Sequence, residues 1–330
     1  MPRRHRLEHP FGRYLHAFER NLGAAVAGEV EPLHDCRVAT RRLRELLPLV
    51  TAEVRGKATT RARRRLQRVG RALGRVREID VGIELLDELT RDGRTPDDAT
   101  VRLRQHLDDL RATARRQMVS DLKRVHATKL GRRLSAVGAQ LRGSTTGAWT
   151  RTLSVRMGAR ASQLRDAVDA AGVLYVSDRL HAVRIATKKL RYGFDLAGEA
   201  GATRRRAPAQ RLKAVQDTLG RLHDIEVLTR LIHGMPLPAP PAPRWVTHVD
   251  DLRYRLEAEC RRLHSEFIGQ RRQLRQAAGA ADEAATRIGS RPPNGGTRQS
   301  LLAGGRRDTE GGDARLCSGC AQLSGHPPAG

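Results

Sequence analysis

A chain that carries the same helical segment twice, at a fixed spacing, has few folds open to it, and this chain does so. Leu33-His34-Asp35-Cys36-Arg37-Val38-Ala39-Thr40-Arg41-Arg42-Leu43-Arg44 returns 147 positions later as Leu180-His181-Ala182-Val183-Arg184-Ile185-Ala186-Thr187-Lys188-Lys189-Leu190-Arg191. Seven of the twelve positions are identical, and three more exchange Arg for Lys or Val for Ile. A second matched pair follows. Leu73-Gly74-Arg75-Val76-Arg77-Glu78-Ile79-Asp80-Val81 aligns with Leu219-Gly220-Arg221-Leu222-His223-Asp224-Ile225-Glu226-Val227 at an offset of 146. Nearly equal offsets mean that the intervening segments are nearly equal in length, so the repeated unit is a module of several helices.

Helical geometry shows what the repeat presents. At about 100° per residue, His34, Arg37, Arg41 and Arg44 share one narrow arc, with Cys36, Ala39, Leu43, Leu46 and Leu47 on the opposite side. The second copy places His181, Arg184, Lys188 and Arg191 in the same arc, with Leu190, Phe194 and Ala197 behind. Like charges one turn apart cost an isolated helix a few tenths of a kcal/mol each, and surface helices usually interleave acids to relieve this. Neither cationic arc contains an acid. One such helix reads as a solvated basic face; the same uncompensated face built twice reads as a polyanion site. Arg64, Arg68, Arg71 and Arg75 form a further one-sided row. It either extends that surface or is simply solvated.

The cassette, its repetition and the Leu-Gly-x-x-x-x-Ile-Asp/Glu-Val segment after each copy resemble the CHAD domain, over roughly residues 5 to 275. The resemblance implies an all-α fold of two four-helix bundles related by a pseudo-twofold axis, with a basic surface and central cavity that binds inorganic polyphosphate without catalysis. It also implies association with polyphosphate granules. By position match, the polyphosphate-binding residues would be His34, Arg37, Arg41, Arg42 and Arg44, with His181, Arg184, Lys188, Lys189 and Arg191. Two positions depart from the family pattern: Arg77-Glu78 stands where Arg-Asp is usual, and His223-Asp224 where Asn-Asp is usual. The Glu-x-Glu-x-Lys signature of a CYTH domain is missing, so a standalone CHAD protein is expected.

Charge supports a polyanionic partner. The chain has 62 Lys plus Arg against 36 acids, a formal charge of +26, and residues 277–330 contribute only +1 of it. Compacting the remainder is costly unless a polyanion neutralises it. Aromatics are 3% of residues. Proteins that hold single-stranded nucleic acid stack bases on aromatic rings, so a ligand with phosphates and no bases fits better. Backbone-only binding of DNA or RNA stays open as the alternative. There is no Walker loop, no His-rich metal cluster and no acidic cluster of the kind that holds Mg²⁺, so no enzyme, cofactor or metal site is expected. No apolar run approaches the roughly 18 residues of a membrane span, and the basic N-terminus lacks the apolar region of a secretory signal. A cytoplasmic protein that does not enter membranes is the expectation.

The predicted elements follow. Residues 10–27 form a first helix. The first cassette helix begins at Glu31-Pro32, and Pro48 ends or kinks it. Helices over 57–73 and 78–90 flank Gly74, read as a break or a close-packing point. A long helix over 96–126 closes a first bundle, residues 1–142. Gly143 to Gly147 is the junction. Helices over 148–171, 177–199, 204–220 and on to 233 follow. A Pro-rich loop over 234–243 precedes a helix over 245–275, closing a second bundle, residues 143–276. Residues 277–330 are predicted to be a disordered low-complexity tail, with Cys317 and Cys320 a chance pair in it. Asp80 and Asp224 are expected to cap a following helix or to pair with an arginine.

Overall fold

Apolar residues at three- and four-residue spacing organise every segment described. The computed structural model describes residues 6–54, 57–91, 98–144, 146–203, 206–235 and 243–290. Among these, all regular structure is helical, in nine helices without a strand: α1 (Glu8–Ala27), α2 (Val30–Glu53), α3 (Lys57–Leu89), α4 (Asp98–Val125), α5 (Ala127–Arg142), α6 (Ala148–Ala171), α7 (Ser177–Glu199), α8 (Ala207–His233) and α9 (Pro243–Gly289). Helix α1 packs on α2 and α5, α2 on α3, and α3 on α4 and α5. Helix α6 packs on α7 and α9, α7 on α8, and α8 on α9. The two groups meet where α2 lies on α6 and α3 lies on α8. Leu33, Cys36, Leu43, Leu46 and Leu47 on α2, and Leu180, Val183, Leu190 and Phe194 on α7, are buried, as the apolar arcs require.

Several predicted boundaries are wrong for physical reasons. The predicted breaks near Gly74 and Gly220 are absent, and α3 and α8 run straight through them. A mid-helix glycine costs only about 1 kcal/mol. Burial of Leu73 and Val76, and of Leu219 and Leu222, on both sides of the glycines outweighs that. Asp80 and Asp224 therefore lie within helices and cap nothing. Pro48 neither ends nor replaces a turn of α2, which continues to Glu53, although proline leaves the Arg44 carbonyl without its helical donor. The chain also turns at His126, whose φ is 52°, into a helix the sequence reading omitted. That helix, α5, buries Leu130, Leu134, Val137 and Leu141, which stand at helical spacing.

The largest difference is at the C-terminal side. Helix α9 does not stop near 275 but continues to Gly289, so the first thirteen residues of the predicted tail 277–330 are ordered helix. Ala277, Ala278, Ala281, Ala284 and Ala285 are buried, and such small side chains let two helices approach closely. The approach to α6 is pinned where the Ser154 hydroxyl donates to the Ala285 carbonyl at 2.7 Å and Arg165 meets Asp282 at 2.6 Å. Cys317 and Cys320 lie outside the described residues, as do 92–97 between α3 and α4, Thr145 of the junction and 236–242 of the Pro-rich loop.

Two acids fasten α2 to the second group of helices. Buried Glu53, at the end of α2, accepts from the Trp149 backbone N–H at 2.8 Å and from the Ser144 and Thr146 hydroxyls at 2.8 and 2.9 Å. It caps the start of α6 from another helix, where the helix dipole favours an anion. Glu45 accepts from Arg156 and Arg160 of α6, and Arg160, only 8% exposed, also donates to the Lys189 carbonyl of α7 at 2.9 Å. Removing one partner of a buried ion pair strands the other, at about 3–5 kcal/mol. Glu45→Ala is thus expected to lower unfolding stability by about 3 kcal/mol. A denaturant titration that shows less than about 0.5 kcal/mol, the level of an ordinary surface change, would contradict this role.

A candidate polyanion site between the cassette helices

The apolar arcs of α2 and α7 face inward, so their cationic arcs are turned toward each other and toward solvent. Tyr192, the residue after the second cassette, sits at their meeting point and is 3% exposed. The guanidinium groups of Arg41, Arg42 and Arg191 lie 5.0, 4.8 and 5.0 Å from its ring centroid. Contacts of this kind are each worth about 0.5–2 kcal/mol. The aromatic therefore holds together cations from both helices that would otherwise repel.

Around this ring the cassette residues divide into two classes. Arg42 and Arg191 are held by the same acid, Asp195, at 2.8 and 3.4 Å, and Arg191 also donates to Gln216 at 2.8 Å. Arg37, Arg41, Arg184 and Lys188 make no ion pair among the described residues, yet all four are largely withdrawn from water. Burial, reinforced by Arg41, Arg184, Arg37 and Arg191, pulls the Lys188 ammonium down to about 7. Burial likewise lowers Arg37, Arg41 and Arg184, offset in part for Arg37 and Arg184 by Glu78 of α3 and Asp224 of α8. These two acids are the aligned pair of the Leu-Gly segments. Asp224 lies within electrostatic range of Arg184 and Arg37 but forms no ion pair with either among the described residues. Asp80, 2% exposed, has its nearest cation in Arg111 at 4.0 Å.

The remaining predicted residues lie further out. His34 and His181 are exposed at the start of their arcs. Burial and Arg77 hold His34 below its ordinary range, so it is neutral at pH 7. His181 packs at a tilt against His223 with ring centroids 4.9 Å apart, beside a cavity of about 400 Å³ that also takes in Arg230. Burial and Arg184 push His223 down to about 4. Lys189 is exposed, and Arg44 lies exposed against Gly70. On α3, Arg68, Arg71 and Arg75 line a groove of about 750 Å³ together with Arg37 of α2. Arg64, on the same face, is exposed. Arg75 is bound to Asp121 of α4; Arg64, Arg68 and Arg71 make no ion pair among the described residues. Gly74 lines the same groove beside the Arg37 guanidinium.

Sequence reasoning did not foresee Tyr192, Asp195 or Gln216. Tyr192 had a signal, being an aromatic directly after a cassette in a chain poor in aromatics. Asp195 and Gln216 had none, since an acid one turn beyond a cassette looks like any surface acid. Several donors in the site are buried without an acceptor: Arg41 Nε, Arg42 Nη1 and the Tyr192 hydroxyl. Buried donors are rarely left so. A multi-oxygen anion would supply the acceptors. No group of three or more His, Cys, Asp or Glu that could hold a metal occurs among the described residues. No helix among them is long and apolar enough to cross a membrane.

The family described as the CHAD domain matches residues 11–233. Among solved structures, the crystal structure of the CHAD domain from the plant Ricinus communis is similar, with 25% identity and a TM-score of 0.58, covering 82% of this chain and 90% of that one. PptA from Streptomyces chartreusis shares the fold at 20% identity and a TM-score of 0.51, covering 85% of this chain and 98% of that one. No curated protein matches the sequence significantly.

Proposed function

Because the chain belongs to the CHAD domain family, we propose that it is a non-catalytic binder of inorganic polyphosphate, held between α2 and α7. The observation that carries the reading is the set of four withdrawn, unpaired cations, Arg37, Arg41, Arg184 and Lys188, drawn from both copies of the repeat and within electrostatic range of one another. Concentrating such charge costs folding energy, and a ligand with one negative charge per phosphate offsets that cost. Arginine forks engage phosphate oxygens two at a time, and cations one helical turn apart lie about 5–6 Å from one another. Successive guanidinium groups thus reach successive or alternate phosphates. The Tyr192 ring offers no open face to a base, since it is already covered by guanidinium groups. Association with polyphosphate granules follows naturally from such binding.

The test is a titration of the full chain with long-chain polyphosphate, competed by duplex DNA at equal phosphate concentration and physiological salt. Polyphosphate is expected to win by at least about 100-fold, with affinity falling linearly in log–log fashion as salt rises, because condensed counterions are released. Equal competition by DNA would replace this reading with generic nucleic-acid binding.

A further inference from the structure

The two copies of the repeat do not open equally to an anion. Arg44 and Arg191 are aligned by the offset of 147, but their surroundings differ at four aligned positions. Arg191 is clamped by Asp195 and Gln216. The residues aligned with those clamps are Pro48 and Gly70, neither of which can accept a side-chain hydrogen bond. Glu199, which binds Arg13 at 3.1 Å and Tyr14 at 2.6 Å, aligns with Ala52. Asp217, which binds Lys213 at 2.9 Å, aligns with Arg71. Each of these four differences removes an acid or acceptor from the first copy, or adds a cation to it, and the acid that the first copy gains, Glu45 in place of Tyr192, is taken up by Arg156 and Arg160.

The consequence is a lopsided surface. Beside α7 and α8 lies a groove of about 940 Å³ that contains Arg42, Arg191 and Lys213, but their charges are taken by Asp195 and Asp217. Arg206 is the one cation lining it that has no acid partner among the described residues. On the other side, Arg44, Arg64, Arg68 and Arg71 are exposed and without an ion pair among the described residues, and Arg68 and Arg71 share their groove with Arg37 of the central cluster. The row from Arg64 to Arg75 spans about 16 Å along the helix axis, so it adds a path of several phosphates to the central site.

Resting on the polyphosphate reading, we propose that a polyphosphate longer than the central cluster leaves it in one direction only, across α3 past Arg71, Arg68 and Arg64, and that this arm makes the protein selective for long chains. Gly70 and Pro48 keep the exit open, and Asp195 with Gln216 closes the equivalent exit along α8.

The experiment compares tripolyphosphate with long-chain polyphosphate on the full chain, in its native form and in two variants. Arg64→Gln/Arg68→Gln/Arg71→Gln alters exposed positions with a good helix former, so folding is retained. This variant should lose at least about tenfold affinity for the long chain, and its salt slope should fall by about 2, the amount expected for three lost phosphate contacts on a single-stranded polyanion. Its tripolyphosphate affinity should change less than about twofold, since the central cations are untouched. The control Arg206→Gln/Lys213→Gln removes two cations from the other groove and should leave both ligands unchanged. Equal losses for the two ligands, or a control that weakens the long chain as much as the α3 variant does, overturns the one-directional arm while leaving the central site intact. Failure of the native chain to bind either ligand instead removes the polyphosphate reading itself.

Discussion

Replacing Arg37 and Arg184 together by glutamate is expected to lower polyphosphate affinity by about 10²–10⁴-fold, because two charge-assisted contacts of roughly 1.5–3 kcal/mol each disappear. These are the aligned arginines of the two copies, and they lie within electrostatic range of each other and of the same two acids, Glu78 and Asp224. Neither makes an ion pair among the described residues, so the loss is not confounded by a broken structural bridge. The free protein should remain folded: the new carboxylates face Arg41 and Lys188 as well as Glu78 and Asp224, so attraction and repulsion offset. Duplex DNA, if it binds the outer cations, should weaken only modestly. Isothermal titration of both ligands, with circular dichroism to verify the fold, checks the claim. A reduction of less than about fivefold would mean that the phosphates lie elsewhere, since even one such contact is worth more.

The second large effect is on pH. Lys188, drawn down to about 7 by burial and by Arg41, Arg184, Arg37 and Arg191, is half charged at neutral pH in the free protein. A bound polyanion neutralises those neighbours and returns the ammonium toward its ordinary value near 10.4. Protonated Lys188 binds better, so its contribution is fully present below pH 7 and is lost as pH rises toward the bound value. Affinity should therefore fall by up to about tenfold per unit between pH 7 and 9, and binding at pH 8 should take up close to one proton. Calorimetry in buffers of different ionisation enthalpy measures that uptake. Lys188→Arg keeps the charge at all these pH values and should flatten the profile. Stability of the free protein shows the opposite sign. The unfolded chain binds the Lys188 proton more tightly, so stability rises with pH between about 7 and 10.4, and Lys188→Met should make the free protein more stable at pH 7. His223 adds little above pH 6, because burial and Arg184 push its imidazole down to about 4.

Much of this was legible because the repeat is a statement about faces. The apolar arcs of α2 and α7 are buried, and Arg37, Arg41, Arg184 and Lys188 are among the cations that helical spacing placed opposite them. What was not legible belongs to pairing between distant elements. That Asp195 would hold Arg42 from another helix, or that Gln216 would occupy Arg191, depends on interhelical distance, which no local pattern carries. The continuation of α9 through an alanine- and glycine-rich stretch shows the same thing from the side of packing. Residues 277–289 have a weak apolar signal, but small side chains are what allow the close approach to α6 that makes them ordered. The run of α3 through Gly74 follows likewise from burial on both sides of the glycine.

The most direct test of the central claim is a crystal structure of the full chain with polyphosphate bound. The account predicts phosphate oxygens within hydrogen-bonding distance of Arg37, Arg41, Arg184 and Lys188, with the Tyr192 hydroxyl and Arg41 Nε now paired. Phosphates on the outer faces of α4 or α9, with those four cations unoccupied, would contradict it.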